Sequence, residues 1–269
     1  MSPGIDDDLD LALRLADAAD EETMGFFTGD PVPHDIKPDG SPVSAADLAV
    51  ERRLAALVEA QRPADGVLGE EVGALGPSGR RWIVDGIDGT VLFVAGRRGW
   101  ATQIALEVDG EVVVGVTTGP ADGHRYWAAR GRGAWRRRVG PDGADDEVAR
   151  IHVSDVTDLA GGRFTTIPPA DALTPERLLV AGRLGEATAG YLPPREHGAL
   201  LVADGRASIC LQLGGGAWDF AALQVIVAEA GGRYSDVAGR RDIYGGGPVL
   251  FSNGRVHDAA LAVLAADRA

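Results

Sequence analysis

Cysteine is almost absent from this chain of 269 residues, Cys210 being the only one. No disulfide can form within the chain, which suits a reducing, cytoplasmic setting. Cys210 itself lies in the apolar alternation Ala207-Ser208-Ile209-Cys210-Leu211, where a lone thiol is expected to pack as a small core residue. Lysine is as scarce, with Lys37 alone, and 26 Lys+Arg against 40 Asp+Glu leave a formal charge of −14. That shortage of cations argues against a nucleic-acid polymer as partner, because phosphate neutralisation requires clustered Lys and Arg. It also disfavours anionic lipid surfaces. No apolar run approaches the roughly 20 residues of a membrane span. The N-terminus runs into Asp6-Asp7-Asp8, the opposite of a basic signal-peptide start.

What is present is an ordinary globular composition, 45% hydrophobic and 25% charged, with 38 glycines that imply many tight turns or close backbone approaches. The length suits one large domain or two halves with a joint core. Helical spacing of Leu9, Leu13, Ala16, Met24 and Phe27 predicts a helix from Asp6 to about Phe27. Ser44 with Asp47 three residues on predicts a capped second helix with Leu54, Leu57 and Val58 on its buried face. Strands are expected at 66–69, 81–85 and 125–129, and a hairpin of two alternating runs, 101–108 and 111–118, turns at Asp109-Gly110. A polar, turn-rich stretch from Gly140 places a division there, giving halves of 1–148 and 149–269. Beyond it come strands near Ile151, Cys210 and 249–252, and helices from Pro175, Glu196, Trp218 and Val256. Helices and strands mix throughout.

Carboxylates concentrate in three short segments with apolar surroundings: Leu68-Gly69-Glu70-Glu71, Trp82-Ile83-Val84-Asp85-Gly86-Ile87-Asp88-Gly89-Thr90, and Gly214-Gly215-Gly216-Ala217-Trp218-Asp219. Asp is disfavoured in strands, and its burial is costly unless it is paired or metal-bound. Hard cations such as Mg²⁺ take oxygen ligands of this kind. Asp85 and Asp88 are three apart across a glycine, so one turn aims both at a point and exposes the Ile87 carbonyl. Gly89-Thr90 opens a short helix whose first N–H groups suit a phosphate. Singly, each feature has a plainer reading: Glu70 and Glu71 as turn acids, Asp47 as a cap, Asp219 as a first-turn acid favoured by the helix dipole. Their joint occurrence in this order is the signal.

These elements resemble the inositol monophosphatase superfamily of Mg²⁺-dependent phosphatases: Gly69-Glu70-Glu71, Asp85-Gly86-Ile87-Asp88-Gly89-Thr90 and Trp218-Asp219, together with Lys37-Pro-Asp-Gly-Ser-Pro-Val-Ser-Ala-Ala-Asp47. Trp100 to Leu106 and Tyr126 to Ala134 look most like the bacterial histidinol-phosphatase branch. The resemblance runs over essentially the whole chain. It implies a layered αβαβα sandwich, with an N-terminal antiparallel sheet and two helices followed by a C-terminal α/β half, and a homodimer. It further implies that Glu70, Asp85 and the Ile87 carbonyl hold one Mg²⁺, that Asp85, Asp88 and Asp219 hold a second, and that a third lies near Glu70. Thr90, bonded to Asp47, would orient and deprotonate the attacking water. Asp88 and the Gly89 and Thr90 N–H groups would meet the phosphate.

Some positions depart from the family pattern. Gly86 replaces a usual Pro, a change expected to loosen the metal turn, and Leu92 stands where Asn or Ser is common. Ser208 replaces a common Asp, and Gln212 an acid that often contacts substrate hydroxyl or amino groups. Arg97-Arg98 stand where the histidinol-phosphatase branch usually has Val-Pro. Arg98, Arg195 and Gln212 are the candidate substrate contacts; solvated loop arginines, and a Pro-led helix start at Pro193-Pro194-Arg195-Glu196-His197, are the alternatives. His197 is not a strong metal-ligand candidate. The expectation is hydrolysis of a small phosphate monoester by a metal-activated water, with an altered substrate pocket. A nucleotide or specialised-metabolite phosphate is the alternative substrate, and a non-catalytic binding scaffold the alternative class.

Overall fold

The computed structural model describes residues 4–138, 147–242 and 244–265. In chain order, the first half runs through α1 (Ile5–Phe26), β1 (His34–Ile36), β2 (Pro42–Ser44), α2 (Ala45–Gln61), β3 (Gly66–Gly69), β4 (Gly73–Leu75), β5 (Arg80–Asp88) and α3 (Thr90–Val94). It continues with β6 (Ala101–Val108), β7 (Glu111–Gly119), β8 (His124–Ala129), β9 (Ala134–Arg138) and β10 (Glu147–Ile151). The rest comprises β11 (Phe164–Ile167), α4 (Pro175–Ala187), α5 (Gly198–Ala203), β12 (Ile209–Gln212), α6 (Ala217–Glu229), β13 (Arg233–Asp236), β14 (Val249–Ser252) and α7 (His257–Ala265).

Two sheets set the layers. An eight-stranded sheet has the order β10-β9-β8-β7-β6-β5-β3-β4, and a four-stranded sheet has β11-β12-β14-β13. One face of the large sheet packs Trp82, Val84, Ile104 and Val114 against Leu11, Leu15, Val50 and Leu54 of α1 and α2. Its other face meets α5 and α6, whose residues share a core with Cys210 and Phe251 of the small sheet. Leu184 and Leu264 of α4 and α7 cover the far side of that small sheet. The result is the expected αβαβα sandwich. The large sheet is mixed rather than wholly antiparallel, because β3 runs parallel to β5.

Local chemistry explains most elements. Asp109 and Gly110 both take positive φ, 52° and 83°, as a two-residue hairpin turn requires. The apolar sequence of α6 lacks a polar face because both sheets bury it. In α1 the buried seam runs through Leu11, Ala12, Leu15, Ala16 and Ala19, while Leu9 and Leu13 are half-buried and Met24 is 42% exposed. Of the residues that suggest the face, Ala16 lies in the seam while Leu9, Leu13 and Met24 lie at its margin, and Leu11 and Leu15 make the contact together with the alanines. The expected division near Gly140 falls on residues 139–146, outside those described; from Glu147 the chain rejoins the large sheet as β10 beside β9.

Candidate metal centre

Two elements, β5 and α6, bring three acidic residues together. On β5, Ile83 faces α6, and alternation puts Asp85 on the same face, 3% exposed. A break in the ladder between Asp85 and Asp88 then redirects the chain into α3. Ile87 N–H donates to Asp85 Oδ1 at 2.9 Å, fixing the turn. Asp219 enters from the start of α6, where its Oδ2 accepts the Gly216 N–H at 2.6 Å. One carboxylate oxygen from each of Asp85, Asp88 and Asp219 lies within 4.8 Å of the other two.

Burial, then the charges of Asp88, Asp219 and Glu70, push the Asp85 carboxyl well above the ordinary range. Burial and Asp88 raise Asp219 likewise. Such a cluster calls for a cation: acids crowded out of water become stable as anions when a metal neutralises them. An all-oxygen donor set suits a hard divalent ion. Asp88 is oriented from behind, its Oδ2 accepting from Gln103 Nε2 at 3.0 Å while Thr117 donates to Gln103 Oε1 at 2.6 Å.

Glu70 does not join this convergent triad. Its Oε1 accepts from Lys37 Nζ at 2.6 Å, and Glu71 shares the same ammonium. Burial raises the Glu70 carboxyl despite that ion pair. Lys37 is held above the ordinary lysine range: burial works against its charge, but bonds to Glu70 and Glu71 prevail. Glu70 remains near enough for its charge to bear on Asp85 and Asp219.

Asp47 takes both expected partners. Its Oδ2 accepts from Ser44 N at 2.8 Å and Ser44 Oγ at 2.7 Å, closing the start of α2. Its Oδ1 accepts from Thr90 Oγ1 at 3.0 Å, and the Ile87 carbonyl lies equally close to that hydroxyl. Beneath Thr90, Phe93 and Trp100 meet edge to face at 5.0 Å and seat α3 on Ile87. Gly89 turns the chain at φ 88°, where a side chain would be strained.

Glu51 is the residue that sequence reading passes over. Buried on α2, it accepts N–H groups of Glu70, Glu71 and Val72 at 3.1, 2.9 and 2.9 Å. It therefore holds the Gly69–Val72 turn, although burial raises its carboxyl to about 7. Gly86 is likewise packed rather than loose: a Cβ there would lie 2.8 Å from Asp47 O and 3.2 Å from Glu51 Cγ. The glycine lets α2 approach the metal turn, which corrects the expectation of a relaxed one. Gln212 is buried at the end of β12, whereas Arg98 and Arg195 are exposed.

A five-layer αβαβα sandwich with an acidic centre where the end of β5 meets the start of α6 defines the class. The chain matches the sequence profile of the inositol monophosphatase family over residues 7–268. It is 41% identical over 260 residues to a histidinol-phosphatase of Mycobacterium tuberculosis, covering 95% of this chain and 96% of that one. It is 42% identical over 253 residues to a Streptomyces griseus protein named glucose-1-phosphate thymidylyltransferase, covering 87% of each. The solved IMPase of Thermotoga maritima superposes with a TM-score of 0.80 at 26% identity, over 96% of both chains. The chain belongs to the inositol monophosphatase family and is a phosphate monoester hydrolase. No helix among the described residues is long and apolar enough to cross a membrane.

Proposed function

We propose that the protein hydrolyses a small phosphate monoester with Mg²⁺, using a histidinol-phosphatase-like catalytic half and an altered substrate pocket, as a cytoplasmic homodimer. The observation that carries this reading is the convergence of Asp85, Asp88 and Asp219 beside the Thr90–Asp47 pair. Asp85, Asp88 and Asp219, with Glu70 and the Ile87 carbonyl, would hold two or three ions. When bound, such ions polarise phosphoryl oxygens and lower the pKa of water.

The protein's own groups supply the rest. The Thr90 hydroxyl directs its hydrogen to Asp47, which leaves an oxygen lone pair to accept a proton from the attacking water. Asp47 balances that transfer, and its second oxygen, tied to Ser44, keeps it in place. The first N–H groups of α3, at Gly89 and Thr90, have no acceptor within their helix and suit phosphate oxygens. Arg98 and Arg195 would meet an anionic part of the substrate at the rim.

The test is phosphate release over a panel of monoesters, nucleotide and sugar phosphates included, with Mg²⁺ or EDTA. Release is expected with Mg²⁺ alone, and the double variant Asp88→Asn with Asp219→Asn should show none. Equal release by wild type and the double variant would sink the reading. The name of the Streptomyces griseus relative points to nucleotidyl transfer. Incubation with dTTP and glucose 1-phosphate separates the two: pyrophosphate with a sugar nucleotide would replace hydrolysis as the activity.

A further inference from the structure

Gln103 and Thr117 are fully buried polar residues in the interior of the large sheet. They stand in one row: Asp85 on β5 pairs with Gln103 on β6, which pairs with Thr117 on β7. Ala105, two residues along from Gln103, belongs to the core shared with α6. A Cβ on Gly115, two residues from Thr117, would lie 2.5 Å from Ala222 O of that helix. Alternation therefore turns the row into the apolar layer between sheet and helix. An amide buried there is costly unless it is hydrogen-bonded, and both bonds it makes lead away from the core chemistry of packing.

The direction of the amide follows from what its neighbours can offer. A carboxylate accepts hydrogen bonds, so the NH₂ group must face Asp88, whose Oδ2 accepts from Gln103 Nε2 at 3.0 Å. Gln103 Oε1 then faces Thr117, whose hydroxyl donates to it at 2.6 Å. The Thr117 hydrogen thus holds the amide against a flip. His197 Nε2, 4.0 Å from the same Asp88 oxygen, is beyond hydrogen-bond range and does not share the task.

Carboxylate oxygens of Asp85, Asp88 and Asp219 within 4.8 Å of one another repel when no cation lies between them. Each has a tether. Asp85 Oδ1 accepts the Ile87 N–H and Asp219 Oδ2 the Gly216 N–H, so two of the three are held by backbone. Asp88 is held by a side chain.

Resting on the metal-dependent phosphatase reading above, we propose that Gln103, its amide aimed by Thr117, is a positioning residue that sets the metal affinity of the centre by holding Asp88 against the repulsion of Asp85 and Asp219. A ligand set already in place loses less freedom when the ion binds. Once bound, the ion itself cancels the repulsion. Gln103 therefore acts on affinity and has little left to do in the loaded enzyme.

The experiment measures Mn²⁺ binding, read from the EPR signal of the free ion, in the wild type, Gln103→Leu, Thr117→Val and Thr117→Ser. Phosphate release against Mg²⁺ concentration is followed beside it. Gln103→Leu removes the donor at similar volume and is expected to weaken Mn²⁺ about tenfold or more, the scale for losing the outer partner of a metal ligand. Thr117→Val frees the amide to flip and should weaken it about threefold, whereas Thr117→Ser keeps the hydroxyl and should stay within about twofold of wild type. The Mg²⁺ concentration for half-maximal release should rise in the same order, with kcat at saturating Mg²⁺ within about threefold of wild type, as for an interaction that serves binding alone.

Unchanged Mn²⁺ binding in Gln103→Leu overturns the proposal, and so does a Thr117→Ser protein as weak as Thr117→Val. A fall in kcat at saturating Mg²⁺ with unchanged metal affinity overturns it too, by placing Gln103 in the chemistry. Should Gln103→Leu fail to fold, the contrast between Thr117→Val and Thr117→Ser decides. If the wild type releases phosphate from no ester, the phosphatase reading fails, and Mn²⁺ binding still decides the role of Gln103.

Discussion

Thr90 Oγ1 lies 3.0 Å from Asp47 Oδ1, while the second oxygen of that carboxylate closes the start of α2 through Ser44. One side chain thereby ties the placement of a helix to the placement of a reacting hydroxyl. Asp47→Asn has one amide oxygen for these two tasks. It is expected to lower kcat at least about 100-fold, the lower range for loss of a proton-transfer group, and to cost about 1 kcal/mol of stability as a weakened cap. Thr90→Ser should stay within a few-fold of wild type and Thr90→Val should lose activity. Steady-state kinetics with urea unfolding separates the effects; Asp47→Asn with wild-type kcat removes the pair from the chemistry.

The carboxyl cluster sets how the protein responds to pH and metal. Asp85, Asp219 and Glu70 all have pKa values raised chiefly by burial, Asp219 to about 8. An acid raised on folding binds a proton in the folded state where the unfolded chain has lost it. The metal-free protein therefore loses stability as pH climbs from the unfolded carboxyl values towards 8. Mg²⁺ competes with those protons, so its stabilising effect should grow over the same interval. Thermal melts from about pH 5 to about pH 9, with Mg²⁺ against EDTA, should show a difference in Tm that widens by about 5 °C or more, a shift on the order of 1–2 kcal/mol for a chain of this size. His257, lowered to about 4 chiefly by burial, acts in the opposite sense: its contribution is lost as pH falls below about 6.5. Comparing both metal states at one pH removes that term. A difference that does not vary with pH contradicts the argument.

Much of this site was legible because its chemistry is local in sequence. The Ser44–Asp47 cap, the Asp109-Gly110 turn and the Asp85–Thr90 segment each act within a few residues, where spacing determines geometry. Glu51 was not legible: in Ala-Val-Glu-Arg-Arg it looks like one more charge on a helix surface. Its role appears only when the Gly69–Val72 turn docks on α2. The strand β11, Phe-Thr-Thr-Ile, and the polar β13, Arg-Tyr-Ser-Asp, are too short to carry a pattern and exist by pairing with β12 and β14. The buried side of α1 was legible only in part, at Ala16, for a related reason. Leu11 and Leu15 share it with three alanines that allow close packing, and Leu9 and Leu13 draw attention to the margin.

Glu51 provides a test away from the reacting groups. Its two oxygens accept four backbone N–H groups, those of Glu70, Glu71, Val72 and Gly86, and Gln offers one acceptor while turning an NH₂ towards donors. Glu51→Gln is expected to destabilise the metal-free protein by about 1–3 kcal/mol, the range for buried donors left unpaired. It should also raise the Mg²⁺ concentration needed for half-maximal activity, because the turn bearing Glu70 loses its anchor. Urea unfolding in EDTA and a Mg²⁺ titration measure the two effects. Wild-type values in both would mean that the turn holds its shape without Glu51.

Gly86 is where family resemblance and packing predict opposite outcomes. Restoring the usual Pro should stabilise a compatible turn by about 0.4–1 kcal/mol through the unfolded chain. Here, however, any Cβ meets the Asp47 carbonyl oxygen at 2.8 Å and Val50 Cβ at 3.3 Å. The close partner is helix backbone, so relief requires α2 to shift and to carry Asp47 and Glu51 with it. Gly86→Ala and Gly86→Pro are therefore both expected to destabilise, by about 1–3 kcal/mol as in overpacked cores, and to weaken Mg²⁺ activation. Unfolding midpoints and Mg²⁺ titrations decide between the two outcomes. A Gly86→Pro protein that is more stable than wild type, with its metal response intact, would show that α2 yields at this contact.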